Sequence, residues 1–147
     1  MDATAAIVRG VAGPYRAESI RVVDGDTFEA RLRIWFNQDA TLLVRLDGVD
    51  APEFRGRCPL ERRLAGEARD ALAAILASGE VFVRDLRADK YNGRAVARAS
   101  VAGAQGAPGD DVGEMLVAGG YARPYDGRAR PPWCGTAAAL AERHGAR

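Results

Sequence analysis

The segment 27–36 alternates apolar and polar residues along its whole length, which is the pattern of a β-strand with one buried face. The apolar positions are Phe28, Ala30, Leu32, Ile34 and Phe36. An Asp24-Gly25 pair precedes this segment, and such a pair indicates a tight hairpin, because a type I′ turn needs positive φ at both central positions. The sequence therefore predicts a hairpin whose first strand covers residues 13–23. Asp26 would then open the second strand, where aspartate is disfavoured because its charge is costly to desolvate.

The remaining periodic segments predict a small barrel with helices. A polar turn at 37–40 leads to a third strand at 41–49, and residues 58–79 carry apolar side chains at helical spacing before a final glycine. Two further strands, a shorter helix and a weak last helix are predicted at 80–87, 94–103, 109–120 and 136–145. Five short antiparallel strands with a helix between the third and fourth fit an α+β fold, a closed five-stranded Greek-key barrel of the oligonucleotide-binding (OB) kind with about three helices. We expect a disordered or frayed tail at 1–13 and one domain at 14–147.

The composition is that of an ordinary folded protein rather than a disordered chain. Hydrophobic residues make up 48% and charged residues 28% of the 147 positions, which is enough chain for one core. The net charge is only +1, so the charge of the whole protein would not draw it onto nucleic acid, and anion recognition must be local. All basic residues but Lys90 are arginines, which reflects either bidentate contacts to phosphate or a codon bias.

Two features bear on the cellular compartment. No apolar run is long enough to span a membrane, and Asp2 stands where a signal peptide would carry positive charge, so the expectation is a cytoplasmic protein, with export left open. Cys58 and Cys134 lack the spacing of a metal site, and either one disulfide or two free thiols is compatible with the sequence.

The stretch RLDGVDAPE, residues 45–53, predicts a strand end that exposes two carboxylates. Ala51 precedes Pro52, which has no N–H to continue a ladder, so the strand must end there with Asp50 and Glu53 at one edge. If Asp26 begins the neighbouring strand, three carboxylates converge. Such a group needs a cation, and hard oxygen ligands suit Ca²⁺ or Mg²⁺.

Two arginines could complement this acidic edge. Arg94 follows the turn DKYNGR and would begin a strand, while Arg45 lies in the strand that leads to Asp50. Two such side chains could hold a phosphate that gains charge during displacement. Alternatively, Arg45 could extend its charged end from the barrel edge into solvent, and Arg94 could pair only with Asp89.

In order and spacing, the motifs DGDT, RLDGVDAPE, DKYNGR and GGYARPY resemble the staphylococcal nuclease (thermonuclease) family. The resemblance implies a calcium-dependent phosphodiesterase on a five-stranded barrel. It implies Ca²⁺ ligands at the carboxylates of Asp26 and Asp50 and the carbonyl of Ala51, with Asp24 close behind. It also assigns activation of water to Glu53, phosphate binding to Arg45 and Arg94, and nucleotide contacts to Lys90, Tyr91 and Tyr125.

Two functions follow as hypotheses. The first is hydrolysis of DNA or RNA by in-line attack of water, with products that, as the resemblance implies, end in a 3′-phosphate. The second is a non-catalytic barrel that binds single-stranded nucleic acid or a peptide. The retained carboxylates and arginines favour the enzyme. The only histidine, His144, lies in the tail, which argues against a nuclease with a histidine base or nucleophile.

Overall fold

The computed structural model describes residues 10–91, 93–102, 109–128 and 132–134. The described strands are β1 (Gly10–Val11), β2 (Tyr15–Asp24), β3 (Thr27–Trp35), β4 (Gln38–Leu46), β5 (Val49–Asp50), β6 (Val81–Ala88), β7 (Arg94–Val101), β8 (Asp110–Asp111) and β9 (Arg123–Pro124). The described helices are α1 (Pro59–Ala77) and α2 (Val112–Ala118). The last predicted helix, at 136–145, lies outside the described residues.

Five strands close into a barrel in the order β6-β2-β3-β4-β7, with β7 pairing back onto β6. This confirms the predicted five-stranded α+β barrel of the OB kind. The prediction that all strands are antiparallel is wrong for one pair, because β4 and β7 run parallel over Leu43–Leu46 and Arg94–Ala97. The reason is geometric: in a closed ring of an odd number of strands, the direction cannot alternate at every pair.

One end of the hairpin β3–β4 is part of the barrel and contributes to its core, and the other end projects from the barrel. Phe28, Ala30 and Leu32 are buried in the core as predicted, but the predicted burial of Ile34 and Phe36 is wrong, since these side chains are 42% and 82% exposed. Beyond Leu32, which pairs with Ala17 of β2, the hairpin continues as a two-stranded ribbon. The turn is formed by residues 36–37 rather than 37–40, so β4 begins at Gln38.

Helix α1 packs its apolar face against the barrel. Ala68, Leu72 and Leu76 belong to the main core, at the helical spacing that predicts the helix. Proline at the first helical position and Gly79 after the end match the predicted bounds of 58–79 to within two residues at each end. No helix in the described part of the chain is long and apolar enough to cross a membrane.

Two segments near the limits of the described residues are joined to the rest of the fold. Gly10 and Val11 pair with Arg87 and Leu86 of β6, so paired structure begins inside the segment that the sequence predicts to be a frayed tail. Near the other end, Cys134 forms a disulfide with Cys58, with the two Cα atoms 5.9 Å apart.

Candidate active site

An open groove of about 650 Å³ lies where the β2–β3 turn, the end of β4 and the β6–β7 connection meet. Eight of the ten predicted site residues line it: Asp24, Asp26, Arg45, Glu53, Lys90, Tyr91, Arg94 and Tyr125. The other two, Asp50 and Ala51, are completely buried. A second groove of about 680 Å³, between β2 and the end of α1, contains none of the ten.

The β2–β3 turn presents Asp26 to the groove by a different turn from the predicted one. Asp24 pairs with Thr27, so the two turn residues are Gly25 and Asp26, and Gly25 is not among the described residues with positive φ. The predicted type I′ turn at Asp24-Gly25 is therefore wrong. Gly25 is needed for space instead, because a Cβ atom there would lie 2.5 Å from the Cβ of Ala68 in α1. Asp26 is held in the turn rather than in a strand.

The carboxylate of Asp26 lies against the backbone that follows Asp50. Its Oδ2 accepts a hydrogen bond from the N–H of Ala51 at 3.1 Å, and its Oδ1 accepts one from the hydroxyl of Thr27 at 3.0 Å. Nη1 of Arg45 is 3.5 Å from the same Oδ2. These contacts bring Asp26, Arg45 and the Asp50–Ala51 peptide together at the head of the groove.

Asp50 lies in an unexpected environment, since the sequence predicts an exposed strand end. Its strand, β5, pairs with β9, and Asp50 stands opposite Arg123. Oδ2 of Asp50 accepts hydrogen bonds from Nε and Nη2 of Arg123 at 3.2 and 3.0 Å and from Nε1 of Trp133 at 3.1 Å. The prediction of an exposed Asp50 is wrong because β9 covers the strand end and the Trp133 segment lies against it.

Glu53 follows Asp50 after Ala51 and Pro52 and belongs to a loop that contacts Glu61. The backbone N–H of Glu53 donates to Oε2 of the buried Glu61 at 3.1 Å, and the Glu53 carbonyl accepts from the N–H of Gly56 at 2.9 Å. Gly56 also lies against Glu61, because a Cβ atom at position 56 would be 2.6 Å from the Glu61 side chain. Glu61 thus anchors the loop that carries Glu53.

The prediction that the carboxylates of Asp26, Asp50 and Glu53 lie close together is wrong. Among the described residues, the one group of three possible ligands with mutually close atoms is Cys58, Glu61 and Cys134, and its two sulfurs are bonded to each other. The carboxylates of Asp26, Asp50 and Glu53 are not such a group, because Asp50 turns toward Arg123 and Glu53 follows Pro52 into the next loop.

The predicted calcium ligands can be compared with the kind of donor atom that Ca²⁺ binds. Asp26, Asp50 and the Ala51 carbonyl offer only oxygen atoms, as Ca²⁺ prefers. The hydrogen bond between Asp26 and the N–H of Ala51 places one carboxylate at the peptide that joins the other two ligands. The donor atoms of these three residues are therefore of the kind that suits a calcium ion.

Arg45 and Arg94 are both held by the protein on one side of the guanidinium. Nη1 of Arg45 donates to the carbonyls of Leu46 and Val49 at 2.9 Å each, and the group carries further N–H groups on Nε and Nη2. Nε of Arg94 pairs with Oδ2 of Asp89, which is the alternative noted from the sequence. Since that pair uses Nε, the terminal nitrogens of Arg94 carry the remaining donors.

The three predicted nucleotide-contact residues line the groove, and two of them, Lys90 and Tyr91, are exposed. Tyr91 is 55% exposed, and Nζ of Lys90 and the guanidinium of Arg94 lie 5.3 and 4.5 Å from its ring centre. Tyr125 is half-buried, and its hydroxyl donates to the carbonyl of Arg128 at 2.5 Å. Tyr91 therefore offers a ring face with positive charge beside it.

Two aspartates that line the groove, Asp47 and Asp89, have lowered pKa values. The hydrogen bonds from Arg87, at 3.0 and 3.1 Å, lower the pKa of Asp47. Burial alone would raise the pKa of Asp89, but the hydrogen bonds from Arg94 and from the Lys90 backbone, with both positive charges, lower it overall. Asp47 and Asp89 therefore stay negatively charged and hold Arg87 and Arg94 in place.

The family model for staphylococcal nuclease homologues matches residues 43–142, more than half of the chain. The chain belongs to this family. The range matched by the nuclease homologue family includes all of the predicted site residues except Asp24 and Asp26, which precede it. A search among curated proteins finds no match.

Three residues around the nuclease homologue site were missed by sequence reasoning. Glu61 gave only the ordinary signal of an acid in the first turn of a helix, and Trp133 and Arg123 lie 83 and 73 residues from Asp50. The available signal in the sequence is the loop at 121–135, which is rich in arginine, proline and aromatic residues and contains both Arg123 and Trp133.

Proposed function

We propose that this protein is a calcium-dependent phosphodiesterase that hydrolyses DNA, RNA or both by in-line attack of water and leaves 3′-phosphate ends. One observation carries the proposal: two acidic residues, Asp26 and Glu53, line the same groove as two arginines, Arg45 and Arg94. A phosphodiesterase needs both kinds of group, a base for the attacking water and positive charge for the phosphoryl oxygens.

Calcium would be held by the carboxylates of Asp26 and Asp50 and by the carbonyl of Ala51. When bound, it supplies positive charge that polarises a phosphoryl oxygen. Asp26 is already oriented for this role by Thr27 and by the Ala51 N–H. Asp24 lines the same groove and would add negative charge behind these ligands.

Glu53 is the candidate general base. Its loop is tied by the Glu61 carboxylate to the first turn of α1, which restricts where the Glu53 side chain can reach. Its carboxylate would take a proton from water as the water attacks phosphorus.

Arg45 and Arg94 would stabilise the charge that the phosphoryl oxygens gain. Each guanidinium is fixed at one nitrogen by the protein, so little further ordering is needed when a phosphate meets the other N–H groups. The planar fork of arginine matches two oxygens of one phosphate.

The nucleic acid would lie along the rim that Lys90, Tyr91 and Tyr125 form. An exposed ring with adjacent cations can stack on a base of any sequence, which suits single strands especially. With a net charge of +1, the protein relies on this local charge rather than on an overall positive field.

A second candidate, a non-catalytic module for single-stranded nucleic acid or a peptide, is favoured by the ion pairs in the site. Asp89 already pairs with Arg94, so one charge that would act on a phosphate is partly neutralised. Arg123 pairs with Asp50, so the charge of one proposed calcium ligand is partly neutralised as well. Such a module would bind without cleaving.

The test is cleavage of supercoiled plasmid and of a labelled single strand in the presence of Ca²⁺. We expect nicking that a chelator abolishes and that added Ca²⁺ restores. Product strands should serve as polymerase primers only after phosphatase treatment, since a 3′-phosphate blocks extension. Binding of the single strand without cleavage would reject the enzyme and support the binding module.

A further inference from the structure

Two side chains, those of Arg123 and Trp133, hold the carboxylate of Asp50. The carboxylate is completely buried, and Oδ2 accepts hydrogen bonds from both Arg123 and Trp133. The Arg123 guanidinium stacks on the Trp133 ring, 4.0 Å from its centre. A buried charge is costly unless it is paired and hydrogen-bonded, so Trp133 and Arg123 together determine where Asp50 points.

Trp133 is held in turn by a covalent bond at the next residue. Its side chain is only 4% exposed and packs on Leu64 and Leu60 of α1. Cys134 is joined by the disulfide to Cys58, the residue just before α1. The disulfide thus fastens the segment that carries Trp133 to the start of the helix.

The same disulfide touches the support of the Glu53 loop. Sγ of Cys134 lies 3.8 Å from Oε1 of Glu61, whose other oxygen accepts the N–H of Glu53. The disulfide therefore lies next to Trp133, the partner of the proposed calcium ligand Asp50. It also lies next to Glu61, the partner of the proposed base Glu53.

We infer that Trp133 is a positioning residue for the calcium site and that the Cys58–Cys134 disulfide holds it there, so that calcium affinity depends on the redox state of the two cysteines. This inference rests on the proposed function. Groups that orient a metal ligand typically change metal affinity 10- to 100-fold when they are removed. Reduction by a dithiol breaks the S–S bond and leaves a thiol on each cysteine, while the dithiol is oxidised to a cyclic disulfide.

The chain offers a matched control, because Trp35 is the other of its two tryptophans and is 69% exposed at the hairpin tip. Trp133→Phe removes the N–H donor to Asp50 and keeps an aromatic ring, whereas Trp35→Phe should leave the site unchanged. In the Trp35→Phe protein, Trp133 is the single emitter, so its fluorescence reports directly on the contact with Asp50.

The experiment measures calcium binding by titration calorimetry on the oxidised full chain, the reduced full chain and the two variants, with circular dichroism to establish that each is folded. We expect the Trp35→Phe variant to bind calcium like the oxidised wild type. Trp133→Phe and the reduced wild type should each bind about 10-fold or more weakly. In the Trp35→Phe protein, added calcium should change the Trp133 emission, and reduction should shift that emission to longer wavelength.

A disulfide with a merely structural role would lower the unfolding temperature and leave the calcium affinity of the folded protein unchanged. Wild-type affinity in folded Trp133→Phe, or in the folded reduced protein, overturns the inference. If the Trp133→Phe variant does not fold, the reduced protein and a Cys58→Ser, Cys134→Ser double variant decide the question. Oxidised wild type that neither binds calcium nor cleaves rejects the proposed function and the inference with it, whereas wild type that does both beside an unaffected variant rejects the inference alone.

Discussion

At the level of single residues, Asp50 and Glu53 are three positions apart and have different surroundings. Asp50 is enclosed by an arginine and a tryptophan, while Glu53 is half-buried and lines the open groove. A carboxylate that contacts solvent can exchange a proton with water, and an enclosed one can hold a cation in a fixed place. This difference in surroundings supports the proposed division of roles, with Asp50 as a calcium ligand and Glu53 as the base.

Glu53→Gln should lower turnover by a factor of about 10² to 10⁴, because the amide keeps the shape of the side chain but cannot accept the proton from water. Calcium affinity, measured by calorimetry, should stay near the wild-type value. Glu67→Gln on the exposed side of α1 is the matched control and should cleave normally. A Glu53→Gln enzyme with wild-type turnover would show that another group is the base.

Arg94→Lys should reduce kcat by a free-energy equivalent of about 3 kcal/mol, because an ammonium group cannot make two parallel N–H bonds to a phosphoryl oxygen pair. It also cannot reproduce the pair with Asp89 and the planar contact with Tyr91 at the same time. Single-turnover cleavage rates measure the effect, with Arg63→Lys on the exposed face of α1 as the control. Normal single-turnover rates for the lysine enzyme would exclude a guanidinium-specific contact at position 94.

At the level of elements, the position of Asp26 depends on how closely the β2–β3 turn approaches α1. Gly25 is buried against Ala68, and the neighbouring Ala51 Cβ would be 3.0 Å from a Cβ at position 25. The turn, the helix and the segment after β5 therefore meet at three small residues. Small side chains at this meeting point are what allow the Asp26 carboxylate to reach the Ala51 N–H.

Gly25→Ala should destabilise the fold by about 1–3 kcal/mol, as overpacking does, because the new Cβ meets the Cβ and backbone of Ala68 rather than a flexible side-chain end. Gly66→Ala, inside α1 with its nearest neighbour 4.0 Å away, should instead raise stability by about 0.5–1 kcal/mol through helix propensity. Urea unfolding of the two variants measures both effects. Equal stability of the two proteins would contradict the close packing of the turn on α1.

At the level of the whole molecule, two ion pairs join different strands of the barrel beside the groove. Asp47, after β4, pairs with Arg87 of β6, and Asp89 pairs with Arg94 across the β6–β7 connection. The pKa of each aspartate is lower in the folded protein than in an unfolded chain, where it is about 4. Each pair therefore stabilises the fold above about pH 4 and loses that contribution as the pH falls through the lowered folded value.

Asp47→Asn should make the free energy of unfolding depend less on pH below about pH 4. The wild-type free energy of unfolding, from urea titrations between pH 6 and pH 2, should fall below about pH 4, and the variant should lose less over the same interval because it has no carboxyl group to protonate at this pair. Asp70→Asn, on an exposed part of α1 beside Arg69, is the control and should follow the wild-type curve. A variant curve parallel to the wild type would show that the Asp47–Arg87 pair does not contribute.

The elements and most of the groove could be predicted from the sequence because they depend on local order. The alternation at 27–36 and the helical spacing at 58–79 located β3 and α1 to within one or two residues, and the motifs located eight residues that line the groove. Period and turn chemistry are properties of neighbouring residues, so they can be seen without knowledge of the fold.

The partners of Asp50 were decided only by the tertiary structure. Arg123 and Trp133 reach it across more than 70 residues of chain, and the disulfide beside Trp133 joins cysteines 76 residues apart. The need for glycine at position 25 comes from a helix that begins 34 residues later. Closure of the five-stranded barrel also requires the parallel pairing of β4 with β7, which no local pattern indicates. Contacts between distant residues depend on how the whole chain closes around one core, and for this reason the sequence determined which residues border the site while the fold determined what holds them in place.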